Sequence, residues 1–108
     1  MLGKSWSSVR VFYPKWSRAE VLERLRSRMD ELSRCLPLRK AVLFGSYAKG
    51  NYTAGSDVDL LLIYKGEPRP DAYALVKRIL EIPRLEPHLY TEQEYEAMRE
   101  TVEKMIAD

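Results

Sequence analysis

The stretch that decides the fold runs from Gly45 to Tyr64 and reads GSYAKGNYTAGSDVDLLLIY. Its second half contains Asp57 and Asp59, which are separated by one valine and followed by the apolar run LLLI. A short aliphatic run between turn-forming residues indicates a buried strand. Because side chains alternate between the two faces of a strand, both carboxylates are expected on the same face.

The two neighbouring carboxylates predict a metal site. At a separation of about 6 Å and an effective dielectric constant of about 20, two like charges repel by roughly 3 kcal/mol. A divalent cation between them turns this repulsion into attraction, and ligand sets made of oxygen favour Mg²⁺ or Mn²⁺. We therefore expect Asp57 and Asp59 to bind a divalent ion.

A phosphate-binding turn is predicted just upstream. The apolar segment AVLF at 41–44 reads as another strand, and Gly45-Ser46 follows it directly. Glycine lets a ligand approach the backbone closely, and the N–H groups of the following turn, together with the Ser46 hydroxyl, can hold phosphate oxygens. If the two strands are antiparallel, the end of the first lies beside the start of the second. Phosphate and metal would then meet at one end of the sheet, as nucleotidyl transfer requires.

The Gly-Ser pair, ten intervening residues and the Asp-Val-Asp motif together resemble the signature of the DNA polymerase beta-like nucleotidyltransferase superfamily. The segment GSYAKG is similar to the GSxARG form of its minimal, MNT-type members in bacteria and archaea. Lys49 departs from that form, because those members usually carry arginine there, and lysine lacks the planar fork that binds phosphate. The resemblance extends from about Arg18 to the C-terminus.

This resemblance implies an α+β nucleotidyltransferase fold, in which a small mixed sheet of about three or four strands carries packed helices. The expected domain covers residues 17–108, and residues 1–16 form an N-terminal arm or edge strand. The resemblance also implies a set of nucleotide-binding residues, which are Gly45, Ser46, Lys49 and Ser56.

A third carboxylate is also implied by the resemblance, on the strand after the second long helix. The candidates lie in LEPHLY at 85–90, and Glu86 is assigned this role although the family more often shows aspartate. An ordinary surface glutamate is the alternative. Asp57, Asp59 and Glu86 would then be the catalytic and metal-binding residues, with two Mg²⁺ ions, or Mn²⁺, as cofactor. His88 either orients substrate or contacts phosphate, or is a hydrogen-bonded structural histidine.

The resemblance further implies transfer of a nucleoside monophosphate, AMP from ATP or another NTP, to a hydroxyl of a partner protein. Minimal members are typically encoded beside a HEPN-domain protein, as the antitoxin of a toxin–antitoxin pair. The alternative is a catalytically weak or inactive nucleotide-binding module that neutralises a HEPN partner by contact. A third hypothesis is an antibiotic-modifying transferase that acts alone, although the expected single domain leaves no second domain to hold the acceptor. Self-assembly into a homo-oligomer is the alternative to a separate partner protein.

Composition sets the remaining expectations. A chain of 108 residues with 45% hydrophobic and 31% charged residues is expected to form one globular domain. Its sequence contains neither a membrane span nor a signal-peptide core, so no membrane partner and a cytoplasmic location are expected. Cys35 is the only cysteine, which excludes disulfide scaffolds. Residues 1–40 carry ten Lys and Arg against four Asp and Glu, an imbalance too small to indicate a dedicated nucleic-acid partner.

The other elements follow from local patterns. A capping box at 17–20 starts a helix whose apolar stripe includes Met29 and Cys35 as core filler. Asp71 is expected to cap the second long helix. A second capping box at 91–94 starts a single terminal helix, whose apolar stripe consists of Tyr95, Met98, Val102, Met105 and Ile106. Tyr47 and Tyr52 either stack on a nucleotide base or pack the loop.

Overall fold

The computed structural model describes residues 16–53 and 55–107, so the predicted N-terminal arm lies outside the described residues except for Trp16. The elements in chain order are α1 (Arg18–Cys35), β1 (Leu38–Phe44), α2 (Ser46–Lys49), β2 (Val58–Tyr64), α3 (Ala72–Leu80), β3 (Leu85–Thr91), α4 (Glu92–Ala97) and α5 (Arg99–Ala107). Within the described ranges, no helix has the length and apolar character needed to cross a bilayer.

The three strands form one mixed sheet in the order β1-β2-β3. Strand β1 is antiparallel to β2, and Phe44 is the register partner of Asp59. Strand β3 is parallel to β2, and Glu86 is the register partner of Asp59 on that side. A parallel pair needs a crossover connection, which α3 provides here. The predicted α+β fold with a small mixed sheet is therefore confirmed.

Helices cover both faces of the central strand. Leu60 and Leu62 pack in one core with the apolar faces of α1 and α3, whereas Leu61 and Ile63 pack in a second core with α4 and α5. Burial on both faces explains why β2 reads as a continuous apolar run rather than an alternating one. Asp59 is two residues before Leu61 on the same strand, so its side chain lies on the face of the sheet that α4 and α5 cover.

Helix α1 begins with the predicted capping box, in which the Glu20 amide donates to Ser17 Oγ at 3.2 Å and the Ser17 amide donates to Glu20 Oε1 at 2.7 Å. The prediction that Cys35 fills the core is wrong, because its side chain is exposed. Leu36 is buried instead, in an extended conformation with φ −137° and ψ 108°. Since the residue before a proline avoids helical geometry, Leu36 leaves the helical stripe and turns into the core.

The prediction of one unbroken terminal helix is also wrong. The second capping box is present, but the helix is interrupted at Met98, whose φ is −117° and ψ is 19°. Met98 was expected on the buried stripe and is 42% exposed, while Tyr95 and Val102 are both buried in the second core. Helical periodicity in the sequence cannot reveal such a break, because the packing of α4 and α5 against the sheet decides where the helix is interrupted.

Asp71 occupies the N-cap position of α3 as predicted, but its side chain makes no capping hydrogen bond. Its carboxylate instead accepts from Arg69, with Nε to Oδ1 at 3.2 Å and Nη2 to Oδ2 at 2.9 Å. This hydrogen bonding lowers the pKa of the Asp71 carboxyl below its usual value. Arg69 also donates to the Cys35 carbonyl at 2.6 Å, so the pair ties the start of α3 to the end of α1.

Candidate active site

Gly45 and Asp59 bring the two halves of the central motif together. Gly45 has φ 77° and ψ −156°, a conformation that is essentially restricted to glycine. A Cβ atom at this position would lie 2.5 Å from Asp59 Oδ2. The antiparallel pairing of β1 and β2 produces this approach, since Gly45 directly follows Phe44, the register partner of Asp59. The glycine–serine turn and the second aspartate therefore share one end of the sheet.

On its other side, Asp59 contacts His88. The distance between His88 Nε2 and Asp59 Oδ1 is 3.2 Å, and both side chains are 28% exposed. The His88 ring also packs against Phe44, with centroids 5.0 Å apart and planes tilted by 59°. Sequence reasoning left the role of His88 open, and the geometry gives it a hydrogen bond that orients the Asp59 carboxylate.

Asp57 lies just before β2 and has a different partner. Its Oδ1 accepts from Arg84 Nη2 at 3.1 Å, and its side chain is 54% exposed. Arg84 also donates to the carbonyl oxygens of Gly55 at 2.8 Å and Ser56 at 3.1 Å. The arginine therefore holds the segment before β2 at three points. Sequence analysis missed this role, because Arg84 belongs to no motif and its left-handed φ of 60° carries no sequence signal in arginine.

Glu86 is placed beside Asp59 by strand register and shares its face of the sheet. Its Oε2 accepts a hydrogen bond from the hydroxyl of Tyr73 on α3 at 3.4 Å. Neighbouring strands lie about 4.8 Å apart, so the two side chains start within reach of a common ligand. Glu86 thus lies next to Asp59 in the sheet, and its role as the third carboxylate stays a prediction.

The three carboxylates are held by separate protein partners. Across 16–53 and 55–107, no three carboxylate, imidazole or thiolate groups converge closely enough to enclose an ion. The donor chemistry nevertheless suits Mg²⁺, because the side chains offer oxygen ligands and two of them start from adjacent register positions. The contacts with Arg84 and His88 involve Oδ1 of Asp57 and of Asp59, so Oδ2 of each carboxylate is the oxygen left to bind a cation.

The predicted nucleotide-binding side chains surround the same end of the sheet. Ser46 begins the short helix α2 and is half-buried, and Lys49 ends it and is exposed. The Ser56 hydroxyl accepts from the Thr53 amide at 2.9 Å and so closes the loop before Asp57. Ser56 is therefore placed to shape this loop, and contact of these residues with nucleotide stays a prediction.

Tyr47 and Tyr52 pack the loop rather than face outward together. Their rings stack with centroids 4.2 Å apart and an interplanar angle of 8°. Tyr47 is buried and donates to the Trp16 carbonyl at 2.8 Å, while the Tyr52 hydroxyl accepts from the Arg18 amide at 3.0 Å. Burial, and then the nearby Tyr52, raise the pKa of Tyr47 above its ordinary value.

Two cavities lie away from these residues. One, of about 560 Å³, is lined by Trp16 and the first turns of α1, and the other, of about 350 Å³, is an apolar cleft between α1 and the sheet that includes Met29 and Leu43. Neither is lined by a predicted catalytic residue.

Comparisons with known proteins identify the family of this chain. The family model for the nucleotidyltransferase domain matches residues 22–107. A Methanocaldococcus jannaschii protein named "Putative protein adenylyltransferase MJ0141" is 39% identical over 51 residues, which are 45% of this chain and 52% of that protein. A second protein from that organism, named "Putative protein adenylyltransferase MJ0604", is 54% identical over 26 residues, which are 24% of this chain and 26% of that protein. The matches therefore span about half or less of these relatives.

A solved structure shares the fold. It is described as a "putative nucleotidyltransferase from Sulfolobus solfataricus", and it matches with a TM-score of 0.56 and 24% identity. The match covers 90% of this chain and 85% of that one. At this identity the likeness concerns the arrangement of helices and strands alone.

Proposed function

Because this chain belongs to the nucleotidyltransferase domain family, we propose that it transfers AMP from ATP to a hydroxyl of a partner protein. The proposal rests on the close approach of Gly45 to Asp59, where a Cβ atom on residue 45 would lie 2.5 Å from Oδ2, and on Glu86, which is the register partner of Asp59. The names of the two Methanocaldococcus jannaschii relatives support a protein as the acceptor.

Mg²⁺ is the proposed cofactor, held by Asp57, Asp59 and Glu86, with Mn²⁺ as a substitute. When bound, it would neutralise charge on the triphosphate and on the departing pyrophosphate. Gly45 keeps the space beside the Asp59 carboxylate free, and His88 orients that carboxylate through its hydrogen bond. Ser46 and Lys49 would contact the phosphates. Most of the rate acceleration would come from positioning and electrostatics.

The proposed acceptor is a HEPN-domain protein, and the proposed role is that of an antitoxin. This follows from the resemblance of GSYAKG to the minimal nucleotidyltransferases. The 54% exposure of the Asp57 side chain supports a large acceptor, because the surface of another protein can reach it from solvent. A purified helical HEPN-domain protein is the first acceptor to test.

The test is transfer of radiolabel from [α-³²P]ATP to that helical protein in the presence of Mg²⁺. We expect labelling by the wild type and a loss of about 100-fold or more in Asp59→Asn, since a preorganised charge at the reacting centre is removed. Asp71→Asn is the matched control, because Asp71 is a carboxylate outside the site, paired with Arg69. An unlabelled acceptor with the wild type would overturn the proposal.

A second candidate, a non-catalytic module that neutralises its partner by contact, is favoured by one observation. Asp57 is paired with Arg84 and Asp59 with His88, so both aspartates already have protein partners. This candidate predicts that Asp59→Asn still suppresses the partner's activity as well as the wild type does. The proposed transferase predicts loss of suppression in that variant, so one assay separates the two.

A further inference from the structure

The hydroxyl of Tyr73 lies against the proposed third carboxylate. Tyr73 is in the first turn of α3, and its Oη donates to Glu86 Oε2 at 3.4 Å. Its side chain is 43% exposed, whereas the other tyrosines of the described ranges are buried or half-buried. An exposed phenol beside a carboxylate of the reacting centre is where an acceptor hydroxyl would be expected.

The Tyr73 ring is held in this position from two sides. Lys77, one turn further along α3, places its ammonium 5.4 Å from the ring centroid. Such cation–π contacts contribute about 0.5–1 kcal/mol at exposed sites. Together with the hydrogen bond to Glu86, this contact orients the ring and keeps the hydroxyl beside the Glu86 carboxylate.

We propose that Tyr73 is a modification site, and that the chain adenylylates its own Tyr73 hydroxyl. The inference rests on the proposed function, because it uses the same nucleotide site. In the reaction, the proton of Oη passes to Glu86 Oε2, and Oη forms a bond to the α-phosphorus of ATP. The bond from that phosphorus to the oxygen bridging the β-phosphate breaks, and pyrophosphate leaves with the electron pair. The product is a tyrosyl–AMP phosphodiester.

The geometry supports attack within one molecule. Glu86 is within hydrogen-bond reach of the Tyr73 proton, as a general base must be. The register pairing of Glu86 with Asp59 puts the hydroxyl near the carboxylates that would hold the metal. An acceptor in the same chain has a high effective concentration, so modification needs no collision with a partner.

The first test incubates the full chain alone with [α-³²P]ATP and Mg²⁺ and maps the label by peptide mass spectrometry. We expect the label on Tyr73, with a fraction labelled per minute that does not depend on protein concentration. Tyr73→Phe should lose the label and keep its fold, because it retains the ring and its contact with Lys77. Tyr90→Phe is the control, a half-buried tyrosine on the same strand as Glu86, and should label like the wild type. Label on another residue, or undiminished labelling of Tyr73→Phe, overturns the proposal.

The second test needs no turnover. Tetranitromethane should nitrate Tyr73 in the free chain, and α,β-methylene-ATP with Mg²⁺, which cannot transfer AMP, should slow that nitration at least threefold. Nitration that the analogue leaves unchanged, although the analogue binds, counts against the proposal.

Nucleotide binding separates the failure of this inference from the failure of the proposed function. If a fluorescent ATP analogue binds the wild type but not Asp59→Asn, and Tyr73 is never labelled, self-modification alone is wrong. If the wild type binds no nucleotide at all, both proposals are wrong. Glu86→Gln, which cannot accept the proton, should lower self-labelling at least 100-fold.

Discussion

Gly45 leaves space for the Asp59 carboxylate: a methyl group on residue 45 would lie 2.5 Å from Oδ2 and 3.3 Å from Cγ of Asp59. The carboxylate is the movable end of that side chain, so any larger residue displaces it. Displacement would break the contact of Oδ1 with His88. The glycine of the motif is thus tied to the position of the carboxylate as well as to a turn.

Gly45→Ala should therefore destabilise the chain and weaken nucleotide binding. The positive φ of residue 45 costs roughly 1–3 kcal/mol for a residue with a Cβ. The carboxylate is the movable end of a partly exposed side chain, so its displacement adds little to that cost and acts on nucleotide binding instead. Urea unfolding and titration with a fluorescent ATP analogue measure the two effects.

Gly66→Ala is the matched control, because Gly66 also has a positive φ of 95° but a Cβ there meets nothing within 4 Å. Gly66→Ala should lower the free energy of unfolding through its strained backbone, while nucleotide binding stays at the wild-type level. Equal loss of nucleotide binding in both variants would mean that the approach of Gly45 to Asp59 is unimportant.

His88→Phe should reduce transfer with little change in stability. Phenylalanine retains an aromatic contact with Phe44 but cannot donate to Asp59. Loss of one such hydrogen bond corresponds to about 1 kcal/mol, or roughly fivefold in rate. Steady-state kinetics measure the transfer rate, and thermal unfolding measures the stability. His88→Gln, which restores a hydrogen-bond donor, should recover part of the rate. A rate for His88→Phe equal to that of the wild type would rule out an orienting role.

Arg84→Gln should tighten Mn²⁺ binding by up to about fivefold in the absence of nucleotide. Arg84 competes with the cation for Asp57 through an exposed ion pair, and such pairs contribute at most about 1 kcal/mol. The electron paramagnetic resonance signal of free Mn²⁺ measures the affinity. Arg34→Gln, in the last turn of α1, is the control for a lost positive charge. Weaker Mn²⁺ binding in Arg84→Gln alone would instead show that the arginine positions Asp57 for the metal.

The pair of Arg69 and Asp71 should make stability depend on pH in the acid range. Because the hydrogen bond from Arg69 lowers the pKa of Asp71 in the folded state, the pair stabilises the chain above the unfolded pKa of about 3.9. This stabilisation is lost as the pH falls through the folded pKa. The melting temperatures of wild type and Asp71→Asn should therefore differ near neutral pH and converge at low pH. A difference that stays constant across the acid range would contradict this assignment.

Several predictions that rest on neighbouring residues were confirmed. Both capping boxes and the strand after Asp59 involve contacts over a few residues, so local pattern reveals them. The approach of Gly45 to Asp59 followed from one further step, the antiparallel pairing of adjacent strands. Cys35 and Met98 contradict their predictions because each lies at a helix end or break, where packing overrides periodicity.

The sequence by itself determined the glycine–serine turn and the strand that carries Asp59, because motif spacing and a short apolar run encode them locally, whereas the mixed sheet was implied by the family resemblance. Only the tertiary structure decided which partner each acidic group has. Arg84 is 27 residues from Asp57, His88 is 29 from Asp59, and Tyr73 is 13 from Glu86. These pairs form where strand register and helix packing bring distant side chains together, and no periodicity along the chain records such contacts.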